Sequence, residues 1–200
     1  MEEATAPYWV FIDAGFEVQF ASVSGGVVTV DAVSQDSTIA ANQRFCGEGK
    51  IGLLKNTKSF SAVNANDFDA LFLCGGHGTC VDFENGSKDL VERFWNAGKV
   101  VAAVCHGPIG LVKAQVSGRK LLEGKKCTGF TNVEEVMVGL DKVVPSLEGL
   151  MVKAGGVFSC GAPWSSHCVV DGQLVTGQNP MSSKATADAV RTILDRSKSN

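Results

Sequence analysis

The sequence predicts an α/β protein built on a mostly parallel sheet, and three observations carry that prediction. Short apolar runs, Ala70-Leu-Phe-Leu-Cys74 and Lys99-Val-Val-Ala-Ala-Val-Cys105, stop abruptly at glycine-containing turns. Segments with helical spacing alternate with such runs, the pattern of strand, crossover and parallel strand. The run ahead of Cys105 is continuously apolar rather than alternating, as expected of a strand covered on both faces.

Two hundred residues, 44% hydrophobic and 20% charged, describe a single globular domain over residues 1–200 with a sizeable core. A net charge of -3 and no basic cluster leave no footprint for nucleic acid. The apolar runs are too short to cross a bilayer, and the Met1-Glu2-Glu3 start is acidic where a signal peptide is basic. The expectation is a soluble cytoplasmic protein without a membrane partner. Seven cysteines with no CxxC spacing point to reduced thiols rather than a disulfide framework or a zinc site.

Taken in order, Ala4 to Ala14 carries Tyr8, Trp9, Phe11 and Ile12 and reads as a helix closed by Gly15. Glu17 to Ser22 alternates polar with apolar residues and reads as a strand. Gly25 to Asn42, rich in Gly, Asp, Ser and Ala, reads as a surface loop, and Ile51 to Leu54 as a short helix. Asn64-Ala-Asn-Asp67 is turn-like and feeds the strand Ala70 to Cys74, which ends at Gly75-Gly76-His77-Gly78. After a loop, Lys88 to Asn96 is helical, closed by Gly98. The apolar strand then delivers Cys105 into a sharp turn, and Gly107-Pro108 opens the next helix.

Gly124 to Gly129 contains another strand, and Asn132-Val-Glu-Glu135 starts a capped helix. Leu147 to Lys153 is helical. Val169 to Thr176 predicts a hairpin turning at Asp171-Gly172. The last helix runs from about Ser183 to Arg196, with Ala187, Val190, Ile193 and Leu194 on its inner face.

Chemistry concentrates at two strand ends, where open α/β sheets bind ligands. A thiol entering a helix N-terminus feels positive backbone dipoles, so Cys105 is expected to be an exposed nucleophile with its thiolate favoured. His106 stands beside it as base, and Glu134 or Glu135 is available to orient the imidazole. Both glutamates read otherwise as a solvated helix face. Gly75 and Gly76 allow backbone N–H groups to approach an oxyanion, and His77 reads as a pocket wall or turn residue rather than a metal ligand.

Four stretches carry a resemblance: Asp69-Ala-Leu-Phe-Leu-Cys-Gly-Gly-His-Gly78, Val101-Ala-Ala-Val-Cys-His-Gly-Pro108, Thr128-Gly-Phe-Thr-Asn-Val-Glu-Glu135 and Leu174-Val-Thr-Gly-Gln-Asn-Pro-Met-Ser-Ser183. In that order they resemble the ThiJ/PfpI superfamily, and within it the glutathione-independent glyoxalases (glyoxalase III) and related heat-inducible chaperones. The resemblance implies a flavodoxin-like, class I glutamine amidotransferase-like sandwich. It implies Cys105 as nucleophile on an elbow, His106 as its neighbour, and Glu135 as the carboxylate orienting that histidine. Glu3, in Glu3-Ala-Thr-Ala-Pro7, matches a glutamate placed close to the sulfur. Backbone N–H groups of Gly76 and His106 would form the oxyanion pocket, which Asn179 and Pro180 line.

The implied activity is that of a lyase of the lactate dehydratase type, acting on a small dicarbonyl, methylglyoxal, with no cofactor and no metal. A homodimer is implied as well. Two other activities occur among relatives: a holdase chaperone binding unfolded clients and a cysteine peptidase or amidase. Family chains carry a strand ahead of the glutamate matched by Glu3, and this sequence has none there. The expectation is an incomplete sheet with unpaired backbone beside the gap and a loosely anchored Glu3.

Overall fold

A computed structural model describes residues 1–32 and 34–198. Helix α1 (Glu2–Asp13) begins two residues earlier than the apolar pattern indicates. Glu2 and Glu3 supply negative charge in its first turn, where free N–H groups favour it. Of the alternating segment 17–22 only β1 (Ala21–Ser22) pairs, in parallel with β2 (Lys58–Ser59). The expected loop from Gly25 to Asn42 runs into helix α2 (Ala40–Gly47), whose Asn42 and Phe45 are buried. Val33 of that loop lies outside the described residues. Lys50–Lys55 forms a 3-10 helix over the short helical segment foreseen there.

The central sheet has the order β3 (Ala70–Leu73), β4 (Val100–Val104), β10 (Leu174–Gly177) and β9 (Cys168–Asp171). The first three strands are mutually parallel and β9 is antiparallel. Every residue of β4 is buried, which accounts for its unbroken apolar sequence. The two-residue period assigns its faces: Val101 and Ala103 join the larger core, and Val100 and Ala102 the smaller.

The larger core packs under α4 (Lys88–Asn96), through Leu90, Val91 and Phe94, and under α6 (Leu147–Lys153), through Leu147 and Met151. The smaller packs under α7 (Ser183–Lys198), through Val190 and Leu194, with Phe11 of α1 alongside. A third cluster joins Tyr8 and Trp9 of α1 to Phe45 and Leu54.

Short paired strands flank this frame: β5 (Gln115–Val116) with β6 (Arg119–Lys120), and β7 (Lys126–Cys127) with β8 (Val157–Phe158). Helix α5 (Asn132–Val138) follows β7. Among the described residues β3 has a strand neighbour only on its β4 side, while β1 and β2 form a sheet of their own.

Three elements depart from the sequence reading. Residues Thr79–Gly86, expected as loop, form helix α3. Its polar and glycine content hides it, and packing against residues 107–111 stabilises it. After Pro108 the chain makes only a 3-10 turn, Gly107–Leu111, because this segment is buried on all sides. A Cβ on Gly110 would come within 2.6 Å of Ser87 Oγ, so close packing sets the path there. In the hairpin, Leu174 pairs with Asp171, which puts Gly172 and Gln173 in the turn instead of Asp171 and Gly172. Gly172 supplies the positive φ, 62°.

Candidate active site

The carboxyl ends of β3 and β4 lie side by side, and both feed the same site. At the end of β4 the chain turns on Cys105, whose φ of 58° is unusual for a residue with a side chain. Such a conformation costs on the order of 1–3 kcal/mol and persists where the surroundings over-determine it. Here the Cys105 N–H donates to the Gly177 carbonyl at 2.9 Å, and its own carbonyl accepts from Phe130 N–H at 3.0 Å. The turn presents the sulfur to its neighbour His106 and to two groups from distant parts of the chain, Glu3 and the Gly76 N–H.

His106 folds back on its neighbour, with Nδ1 3.4 Å from Cys105 Sγ. Its Nε2 meets Glu135 Oε2 at 2.7 Å. A carboxylate only accepts, so the ring donates through Nε2–H and turns its Nδ1 lone pair to the sulfur. Burial, against the pull of Glu135, holds the His106 pKa below its ordinary value and keeps the imidazole neutral. Phe130 packs on the ring with centroids 4.6 Å apart.

Glu3 approaches from the first turn of α1. Its carboxyl interacts with the Cys105 thiol and the Gly75 N–H, and Oε2 is buried without a hydrogen-bond partner. Burial pushes its pKa up to about 7. Gly75 leaves room for this approach, since a Cβ there would lie 2.3 Å from Glu3 Oε2 and 2.7 Å from His106 N. The N–H groups of Gly76 and His106, expected to hold an oxyanion, point to the Cys105 sulfur.

The exposed, low-pKa thiol of the sequence reading is not found. Cys105 is 4% exposed, and its pKa is raised well above the ordinary thiol value by burial and then by the neighbouring Glu3. Positive backbone dipoles are present, but burial and the carboxylate at the sulfur outweigh them. An ionised Glu3 disfavours the thiolate beside it, so Cys105 keeps its proton when Glu3 has lost its own.

The two adjacent glutamates of α5 also differ from the expected solvated face, because both are buried. Glu134 closes a capping box with Thr131. It also accepts from Trp164 N–H at 2.9 Å, Asn179 Nδ2 at 2.8 Å and Gln178 Nε2 at 3.1 Å. Burial alone would raise its pKa, but these bonds, led by Asn179, hold it below the ordinary carboxylate value. Glu135, one position on, is left to face the histidines. Val133, Val136 and Met137 are correspondingly exposed, which gives α5 an outward apolar side.

Asn179 and Pro180, expected along the pocket, lie between β10 and α7. The Asn179 amide is engaged by Glu134 and the Ser165 carbonyl, and Pro180 opens a 3-10 turn into α7. His77 does more than form a wall: its Nε2 meets the second oxygen of Glu135 at 2.8 Å. The sequence reading missed that contact and the role of Glu134. The serine or threonine three residues ahead of a glutamate, Thr131 and Glu134, was the signal available for the second.

The DJ-1/PfpI family matches the chain over residues 1–191. Among curated proteins, the glutathione-independent glyoxalase HSP31 of Saccharomyces cerevisiae is 35% identical, the alignment covering 96% of this chain and 86% of that protein. Glyoxalase 3 of Candida albicans is 34% identical, with 94% and 86% covered. Among solved structures, glyoxalase III of Candida albicans superposes with a TM-score of 0.88 at 31% identity, covering 96% of this chain and 86% of that one. These proteins share the nearly full length of the chain.

Proposed function

The chain belongs to the DJ-1/PfpI family, and from that premise we propose that it is a glutathione-independent glyoxalase converting methylglyoxal and water to lactate. The observation that carries this reading is the orphaned acceptor Glu3 Oε2 beside a thiol that already has its base, His106 Nδ1, at 3.4 Å. An unpartnered buried acceptor at a nucleophile is placed to meet a hydroxyl or a carbon-bound proton of substrate.

In this mechanism Cys105 Sγ attacks the aldehyde carbon as its proton passes to His106 Nδ1. The resulting hemithioacetal oxygen takes over the N–H groups of Gly76 and His106. Ionised Glu3 removes the proton from the former aldehyde carbon while His106 gives the thiol's former proton to the ketone oxygen, and Glu3 then delivers its proton to the adjacent carbon of the enediolate. That leaves a lactoyl thioester on Cys105, which water hydrolyses to lactate and free thiol. Glu135 keeps His106 in the tautomer the first step requires, and no external oxidant, reductant or thiol enters. Cys105→Ala is expected to abolish lactate formation, measured by coupled assay; retention of most of the activity would overturn the reading.

A second reading, a holdase chaperone, is favoured by one feature, the exposed Val133, Val136 and Met137 on α5. The same variant separates the two: suppression of client aggregation would survive Cys105→Ala. A cytoplasmic homodimer completes the proposed picture.

A further inference from the structure

The reaction occupies one of the two histidines bound to Glu135 and leaves the other unused. His77 Nε2 and His106 Nε2 take opposite oxygens of the carboxylate at 2.8 and 2.7 Å. The ligating atoms of all three residues lie within 4.8 Å of one another, and the two rings are tilted with centroids 4.3 Å apart. Two imidazoles and a carboxylate grouped this closely offer the donor set of a borderline divalent cation such as Zn²⁺ or Co²⁺, at bond lengths of about 2.0–2.2 Å. His106 and Glu135 are buried, whereas His77 is partly exposed and opens the way in.

We propose that His77, His106 and Glu135 bind a zinc-class divalent cation that reversibly switches the site off. The site itself rests on the ligand geometry, and its consequence for turnover rests on the glyoxalase reading. A metal on Nε2 requires the lone pair there, so each ring keeps one proton but moves it, through solvent, from Nε2 to Nδ1. Nδ1 of His106 then carries a hydrogen toward Cys105 and has no lone pair with which to accept the thiol proton. The sulfur faces Nδ1, on the opposite edge of the ring from the metal, and is not a ligand.

Calorimetric titration of the chelator-treated protein with zinc chloride tests this, together with the lactate assay before and after EDTA. One Zn²⁺ per chain is expected, with lactate formation lost on loading and restored by EDTA. Removing a ligand should weaken affinity by at least the roughly 10–100-fold known for outer partners of metal sites, so His77→Ala is expected to show that loss. Cys105→Ala should bind Zn²⁺ as the unaltered protein does. His77→Gln, which retains a donor for Glu135, serves the same comparison if the alanine variant fails to fold.

Undiminished binding in His77→Ala, lost binding in Cys105→Ala, or a zinc-loaded protein that still forms lactate would each overturn the proposal. A metal-free protein that forms no lactate would instead defeat the glyoxalase reading. The two affinity comparisons would still decide the metal site.

Discussion

At the scale of single residues, the pair Glu3 and Cys105 sets the chemistry. A carboxyl pKa raised from 4.5 to about 7 by burial means that the folded protein binds a proton the unfolded chain has released. Its contribution to stability is therefore complete below pH 4.5 and is lost as pH rises to about 7, on the order of 3 kcal/mol in all. Glu3→Gln, a permanently neutral isostere, removes that loss. Its melting temperature relative to the unaltered protein is expected to climb between pH 4.5 and 7 and then level off. Its lactate formation is expected to fall by roughly 10²–10⁴, the usual contribution of a general base.

The residues at 105 and 106 were legible because their chemistry is local: an apolar run, a thiol, a histidine, then Gly107-Pro108. The sign of the thiol's shift was not. It depends first on burial of the thiol and then on Glu3, which reaches the sulfur only through the packing of α1, and a backbone dipole argument alone points the wrong way.

At the scale of elements, α5 reverses the usual polarity by burying two carboxylates and exposing valines. Glu134 ties together Thr131, Trp164, Gln178 and Asn179, and it accepts the N–H of Trp164, a residue with a φ of 58°. Glu134→Ala leaves several buried donors without an acceptor, at about 1–3 kcal/mol each where water does not replace it. We expect a loss of at least about 3 kcal/mol by urea unfolding at pH 7. The gap between variant and unaltered protein should narrow in acid, because a carboxylate with depressed pKa stabilises above pH 4.5 and ceases to as pH falls through its folded value.

Elements with strong internal signals, β4, α4 and α6, matched the sequence to within a residue. Helix α3 did not, because Asp82, Asn85 and Gly86 weaken its pattern and tertiary contacts supply what is missing. Register fails differently: Asp171-Gly172 is a good turn dipeptide, yet the pairing of Leu174 with Asp171 shifts the turn by one residue.

At the scale of the molecule, the site depends on α1 staying docked. Thr5 Oγ1 donates to Asn42 Oδ1 at 2.7 Å, and Phe45, fully buried, meets Tyr8 edge-on at 5.2 Å. Phe45→Ala should cost about 3–5 kcal/mol. Hydrogen exchange is expected to quicken in α1 and α2 while β4 stays protected. Activity should then fade at temperatures below the global transition, as Glu3 leaves the thiol first.

No local pattern brings residues 3, 77, 106 and 135 together. Family resemblance named three of them, and only the folded chain showed the contact of His77. Among the described residues β3 pairs only with β4. Glu3, expected to be loosely held, instead sits in a helical turn with its carboxyl buried.

The strand order also has a consequence in time. β4 ends at Val104, but its second neighbour, β10, ends only at Gly177. At about 5–20 residues per second, a chain being synthesised spends several seconds with the most apolar strand of the protein paired on one side. For that interval the future centre of the sheet is an edge, and Cys105 still lacks the Gly177 carbonyl that will accept its N–H.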